Sequence, residues 1–178
     1  DKDTYKTIVQ DMSSVGGGSR SDANRAVFFD TGITSSTIID GLTIKTANLG
    51  HSSGIFCDDS SPTISNNIII GSAETDGVGD IYGIISNNAS PTISNNIIFN
   101  EWEDNKANNS FGIHVSGSGS SDINNNNIYG GKSVITTGLY VGTNINISNN
   151  SIYANSPGAV SDNAISYGVY IEFSSPNI

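Results

Sequence analysis

The sequence predicts an all-β chain wound as a solenoid, and three observations predict it. The first is a repeat: SPTISNNIII, Ser61 to Ile70, returns as SPTISNNIIF, Ser90 to Phe99, 29 residues on and identical at nine of ten positions. Weaker copies run from Asp122 to Tyr129 and from Asn146 to Tyr153, and Thr37 to Ile44 is an upstream relative. The second is a glycine column, Gly54, Gly83, Gly112, Gly138 and Gly168, each opening a short run such as GIFC, GIIS or GVYI. The third is an asparagine column, Asn67, Asn96, Asn126 and Asn150, three residues after an aligned isoleucine. A repeat of this length that tolerates insertions means stacked structural units. Runs of three to five residues without helical periodicity make the units strands.

Taken in order, the chain begins with TIVQDM, Thr7 to Met12, which matches TIIDGL, Thr37 to Leu42, and reads as a degenerate first coil. On that alignment Val9 joins Ile39, Ile64, Ile93, Ile123, Ile147 and Ile178 in one column. GGGSRSDAN, Gly16 to Asn24, is a loop. Its three glycines lack the GK[ST] ending and the following helix that a phosphate cradle needs, and Arg20 and Arg25 serve as loop anchors. AVFFD, Ala26 to Asp30, is the first-strand equivalent. From Gly54 onward each coil runs glycine-strand, tight turn, isoleucine-strand, tight turn, third strand, variable loop.

Side chains alternate faces along a strand. The positions one and three after each glycine, among them Ile55, Cys57, Ile84, Ile113 and Val115, are aliphatic or small and face inward. Position two, occupied by Phe56, Ile85, His114, Tyr140 and Tyr170, therefore faces out. The asparagine column sits where the coil bends, and identical asparagines stacked about 4.8 Å apart can hydrogen-bond coil to coil. Leu42 holds the same position upstream, so the ladder starts at the third coil. The neighbouring Asn66, Asn95, Asn125 and Asn149 suit the turn itself, because asparagine tolerates left-handed backbone.

These columns resemble the right-handed parallel β-helix repeats of the pectin-lyase-like superfamily, especially the repeat regions of large secreted prokaryotic surface proteins. The pattern GIxx…SPTISNNxI carries the resemblance, which covers Thr7 to Ile178. It implies a right-handed single-stranded parallel β-helix of about six coils, with residues 1–178 forming one domain, a segment of a longer solenoid. It is unspecific for activity, since one fold hosts many chemistries. A lyase-like site implies a carboxylate-bound Ca²⁺ and a basic residue on the strand face, yet no arginine follows Arg25, and Lys106 and Lys132 lie in loops. A polygalacturonase-like site implies a Gly-His-Gly and a basic pair; only His114, in GIHV, comes near. An epimerase-like site implies a Tyr-Gly-x-Asp-Pro-His run, of which Tyr82-Gly83 and Tyr167-Gly168 share two residues. No lyase, hydrolase or epimerase set is complete, and His51 has no evident carboxylate partner.

Composition narrows the function classes. Of 178 residues 13% are charged, about half the usual share, and the net charge is −10. That argues against nucleic acid and anionic membrane surfaces as partners. No apolar run is long enough to cross a membrane as a helix. The single cysteine, Cys57, falls in the inward column and reads as a small core residue, so no disulfide framework exists. Asp1 reads as a cut and the last coil stops at Ile178, so both ends are expected to present open strand edges that self-associate. The Asn-x-Ser triplets at Asn88, Asn108, Asn146 and Asn149 carry little weight in so asparagine-rich a chain. An ice-binding grid would need outward threonines, and Thr63 and Thr92 are the only good pair.

The variable loops hold the functional expectation. Residues 45–53, 71–80, 100–110, 130–137 and 154–166 all lie between a third strand and the next glycine, so they project from one corner. Two are acidic: Glu74, Asp76 and Asp80 in one, Glu101, Glu103 and Asp104 in the next, beside Trp102. With the outward column Phe56, His114, Tyr140 and Tyr170, this corner is the candidate ligand site. Aromatic faces and carboxylates together suit a sugar. Asp76 and Asp80 would supply oxygen ligands to a Ca²⁺ ion, though in no known loop spacing, so no cofactor is expected. The functional expectation is a structural or adhesive solenoid, extracellular or on a bacterial or archaeal surface, binding glycans weakly. The alternative is a polysaccharide-active lyase or hydrolase domain, for which paired carboxylates would be required.

Overall fold

The protein is described by a computed structural model over residues 8–10, 24–46, 51–73, 79–102, 108–154, 165–172 and 174–178. Strand β1 (Ile8–Gln10) precedes successive triplets. These are β2 (Asn24–Phe29), β3 (Ile38–Asp40) and β4 (Thr43–Lys45), then β5 (Ser52–Asp58), β6 (Thr63–Ser65) and β7 (Ile68–Ala73). Next come β8 (Asp80–Asn87), β9 (Thr92–Ser94) and β10 (Ile97–Trp102), followed by β11 (Asn109–Ser116), β12 (Asp122–Asn124) and β13 (Asn127–Tyr129). The last triplet is β14 (Ile135–Val141), β15 (Asn146–Ser148) and β16 (Ser151–Tyr153), and β17 (Ile165–Ile171) begins another turn. Each strand pairs in parallel with its counterpart one turn away, building a long-strand sheet β17-β14-β11-β8-β5-β2, an isoleucine sheet β15-β12-β9-β6-β3 and a closing sheet β1-β4-β7-β10-β13-β16. This is the predicted all-β parallel solenoid, with no helix among the described residues. Its complete turns are fewer than the six coils expected, because the turns at either end lack strands among the described residues.

Three aliphatic rows fill the interior. Ile39, Ile64, Ile93, Ile123 and Ile147 stack in register in the isoleucine sheet, and Ile64, Ile93 and Ile123 are wholly buried. Ile44, Ile69, Ile98 and Ile128 form a second buried row in the closing sheet. Ile55, Ile84, Ile113 and Leu139 form the third, in the long-strand sheet. Cys57 lies in that core, as expected, and burial pushes its thiol pKa up, keeping it protonated. Asn177 bridges Asn146, which brings Ile178 into register beside Ile147.

Two expectations are corrected. Val9 pairs with Ile44, not Ile39, so TIVQDM supplies a closing strand. Both strand types place one aliphatic side chain inward between turn-forming neighbours, and three residues cannot tell them apart. The glycines do not open their strands either: β5 begins two residues before Gly54, and β8 three before Gly83. The glycines sit where the long strand crosses the closing strand of its own turn. A Cβ on Gly54 would lie 2.6 Å from Ile69 Cγ2 and 2.7 Å from the Gly83 carbonyl, so no side chain fits.

Each corner has its own device. Between isoleucine and closing strands, Asn66, Asn95, Asn125 and Asn149 adopt φ of 54–56°, and the next asparagine turns inward. Asn67, Asn96 and Asn126 are buried. Each Nδ2 donates to the next Oδ1, at 3.1, 3.0 and 3.0 Å, the last acceptor being Asn150. Each Oδ1 also accepts a backbone N–H from the turn before, starting with Leu42. At the ladder's start Asp40 accepts from Ser65 and Asn66, which together hold its carboxyl below the usual range. Between long and isoleucine strands a second left-handed column, Asp59, Asn88 and Gly117, makes the bend. Under the insertion corner runs a buried polar seam of Thr46, Ser52, Ser72, Asn100, Ser110, Ser133 and Thr136.

Replacing Asn96 with leucine is expected to cost about 1–3 kcal/mol, since it leaves the buried Asn67 N–H and Ile64 carbonyl without partners. Denaturant melts of the variant against the parent check this; an unchanged midpoint would mean that the ladder contributes nothing.

Candidate functional site

The outer face of the long-strand sheet carries two parallel rows of side chains. At Gly54, Gly83, Gly112 and Gly138 the alternation slips: a Cβ there would meet the core isoleucine, and the residue after it also points inward. The residue before the glycine therefore faces out. By register the first row is Arg25, Ser53, Tyr82, Phe111, Thr137 and Tyr167. The second is Phe28, Phe56, Ile85, His114, Tyr140 and Tyr170. The second row contains the outward column that the sequence predicts. The first was missed, although Tyr82-Gly83, Phe111-Gly112 and Tyr167-Gly168 repeat an aromatic before the glycine. Assuming that strands open at the glycine hid it.

Rings stack along each row because the strands hold them one turn apart. Tyr82 and Phe111 lie 5.1 Å apart and nearly parallel, as do His114 and Tyr140 at 4.3 Å and Tyr140 and Tyr170 at 5.6 Å. The rows meet at right angles, with Tyr82 and Phe111 edge-on to His114. At the other end the Arg25 guanidinium lies 4.6 and 4.5 Å over the stacked Phe28 and Phe56 rings. The ladder buries part of itself: Phe56, Tyr82, Ile85 and His114 are covered, whereas Phe111, Tyr140, Tyr167 and Tyr170 remain half-buried.

A polar edge runs along the first row. Asp80 accepts from Asn109 Nδ2 at 2.7 Å and from the Tyr82 hydroxyl at 3.1 Å. His51 Nδ1 accepts the Asp80 backbone N–H at 3.1 Å and lies 3.9 Å from its carboxylate. His51 thus has the carboxylate neighbour that the sequence did not reveal, because strand register rather than sequence distance brings them together. On the far edge Tyr140 donates its hydroxyl to Glu172. Two hollows open on this face among the described residues. One, of about 240 Å³, is lined by Asn109, Phe111, Thr137, Tyr140, Tyr167 and Tyr170. The other, of about 380 Å³, lies among Arg25, Phe28, Phe56, Asp58, Ile85 and Asn87.

The predicted acidic corner divides. Asp80 joins the aromatic face. Glu101 lies in β10 of the closing sheet and pairs with Lys45 at 2.7 Å. Trp102 ends the same strand, opposite Ala73. Glu74, Asp76, Glu103 and Asp104 lie outside the described residues, and with Asp76 so does the pair of carboxylates considered for Ca²⁺. Among the described residues no three His, Cys, Asp or Glu side chains gather into a metal site.

A family model described as a right-handed beta helix region matches residues 31–178. No curated protein and no solved structure matches the chain at a significant level.

Proposed function

The chain belongs to the right-handed β-helix family, and from that premise we propose that it is a structural and adhesive solenoid, secreted or displayed on a cell surface, that binds glycans weakly on its long-strand face. The fold supports a structural or polysaccharide-related module in general terms. The observation that carries the finer reading is the half-buried aromatic patch of Phe111, Tyr140, Tyr167 and Tyr170, edged by Asp80 and Asn109. Apolar rings beside amides and carboxylates offer a sugar both its contacts, ring against C–H surface and acceptor against hydroxyl.

A glycan array followed by titration calorimetry tests this. Tyr140→Ala is expected to weaken binding about 5- to 10-fold, the equivalent of roughly 1–1.4 kcal/mol of ring contact. Binding that is unchanged in a folded Tyr140→Ala variant would remove the reading. A chelator is expected to leave affinity unchanged, since the Asp80 oxygens already accept from Asn109 and Tyr82. New reducing ends or unsaturated sugars appearing on incubation with polysaccharides would favour the enzyme alternative instead.

A further inference from the structure

We infer that the hollow at Thr137 admits a single uncharged sugar ring, which inserts into the aromatic row instead of lying along it. The inference rests on the glycan-binding reading above and adds the subsite, its capacity and the charge of its ligand. Phe111, Thr137 and Tyr167 are register neighbours in the first row, one turn apart from each other. Phe111 has Tyr82 stacked on the side away from Thr137. Thr137, buried and too short to continue the row, leaves a gap between two aromatic side chains, and the hollow of about 240 Å³ lies there. Tyr140 and Tyr170 of the second row close its side.

Size limits the occupant. Pockets for drug-sized ligands span about 300–1,000 Å³, so this one holds one ring and not an oligosaccharide laid flat. The lining suits a sugar, with Asn109 and the tyrosines bringing polar groups beside the apolar surface of Phe111 and Ile135. Charge excludes a uronate. Among the described residues no cationic side chain lines the hollow, Asp80 is held against Asn109 on one side, and Glu172 is held by Tyr140 on the other. With a net charge of −10, a ligand carboxylate would be repelled at close range.

Methyl glycosides of neutral hexoses, the matching methyl uronates, phenol, and neutral oligosaccharides form the probe set, with NMR titration of the full chain as readout. Neutral glycosides are expected to bind, and the uronates at least 10-fold more weakly. Thr137→Phe should complete the row, leaving thermal stability equal or higher while abolishing the shifts. Tyr167→Ala removes one wall and should weaken neutral glycosides at least 5-fold even if Thr137→Phe fails to fold. Uronates binding as well as neutral sugars, phenol binding without any sugar, or single glycosides binding equally to Thr137→Phe would each overturn the inference. Oligosaccharides that bind parent and Thr137→Phe alike would overturn the inserted ring but leave glycan binding on this face standing. Absence of binding by every sugar would overturn both.

Discussion

Ile93→Asp is expected to prevent the chain from folding. Ile93 is wholly buried between Ile64 and Ile123 in the stacked row. Losing the side chain alone costs about 2–5 kcal/mol, and an uncompensated buried charge adds roughly 3–5 kcal/mol. Together these approach or exceed the roughly 5–15 kcal/mol by which a domain is stable. Ile93→Val, which keeps the row and removes one methylene, should cost only about 0.5–1.5 kcal/mol. Circular dichroism with denaturant melts distinguishes the two, and a cooperatively folded Ile93→Asp chain would refute the placement of this row.

Asn100→Asp should come second in severity, and its loss should depend on pH. Asn100 is buried in the polar seam, and its Nδ2 faces the carbonyls of Phe111, Gly130 and Ile81 and the Ser110 hydroxyl at 2.8, 3.2, 3.4 and 2.9 Å. A carboxylate there turns an oxygen toward acceptors and loses donors at once, an expected loss of about 3–5 kcal/mol at neutral pH. Burial and facing oxygens raise the folded-state pKa of such a carboxyl above its unfolded value of about 3.9. Between those two values the folded state binds more protons than the unfolded one, so stability falls as pH rises. The variant should therefore regain part of its stability as pH falls through the raised folded-state pKa, the regain being complete by about pH 4, because the protonated carboxyl can donate. Urea melts across pH 3–7, corrected by the parent's own profile, check this; a pH-independent deficit would contradict the acceptor cluster.

Much of this architecture is legible in the sequence because stacking repeats the same requirement every turn. The isoleucine of SPTISNN and the asparagines after it recur since each turn must bury one aliphatic side chain and make one two-residue bend. Gly54, Gly83, Gly112 and Gly138 recur since a Cβ would strike the closing strand. Where a requirement does not repeat, the sequence is silent. Val9 could not be assigned to its sheet from three residues. The first aromatic row is interrupted by Ser53 and Thr137, so Tyr82 and Phe111 do not form an evident column. Asn100 looks like a loop residue, yet its amide is drawn inward by carbonyls left open at the insertion corner. The candidate site was half legible: Tyr140 and Tyr170 belong to the repeating strand, while Asp80 and His51 meet only through register.

The asparagine ladder gives the solenoid an electrical direction. From Asn67 to Asn126 every side-chain amide turns its oxygen toward the preceding turn and an N–H toward the following one, and the Asn150 oxygen accepts the last of these bonds. The amide dipoles therefore add head to tail and polarise one another, with the negative pole at the early turns and the positive pole at the late ones. An α-helix acquires its axial field in the same way from backbone amides. Here side chains supply it, in a chain whose described residues contain no helix. Cations are favoured beside the Leu42 end of the column and anions beyond Asn150, so two identical aliphatic cross-sections of the solenoid are not electrostatically equivalent.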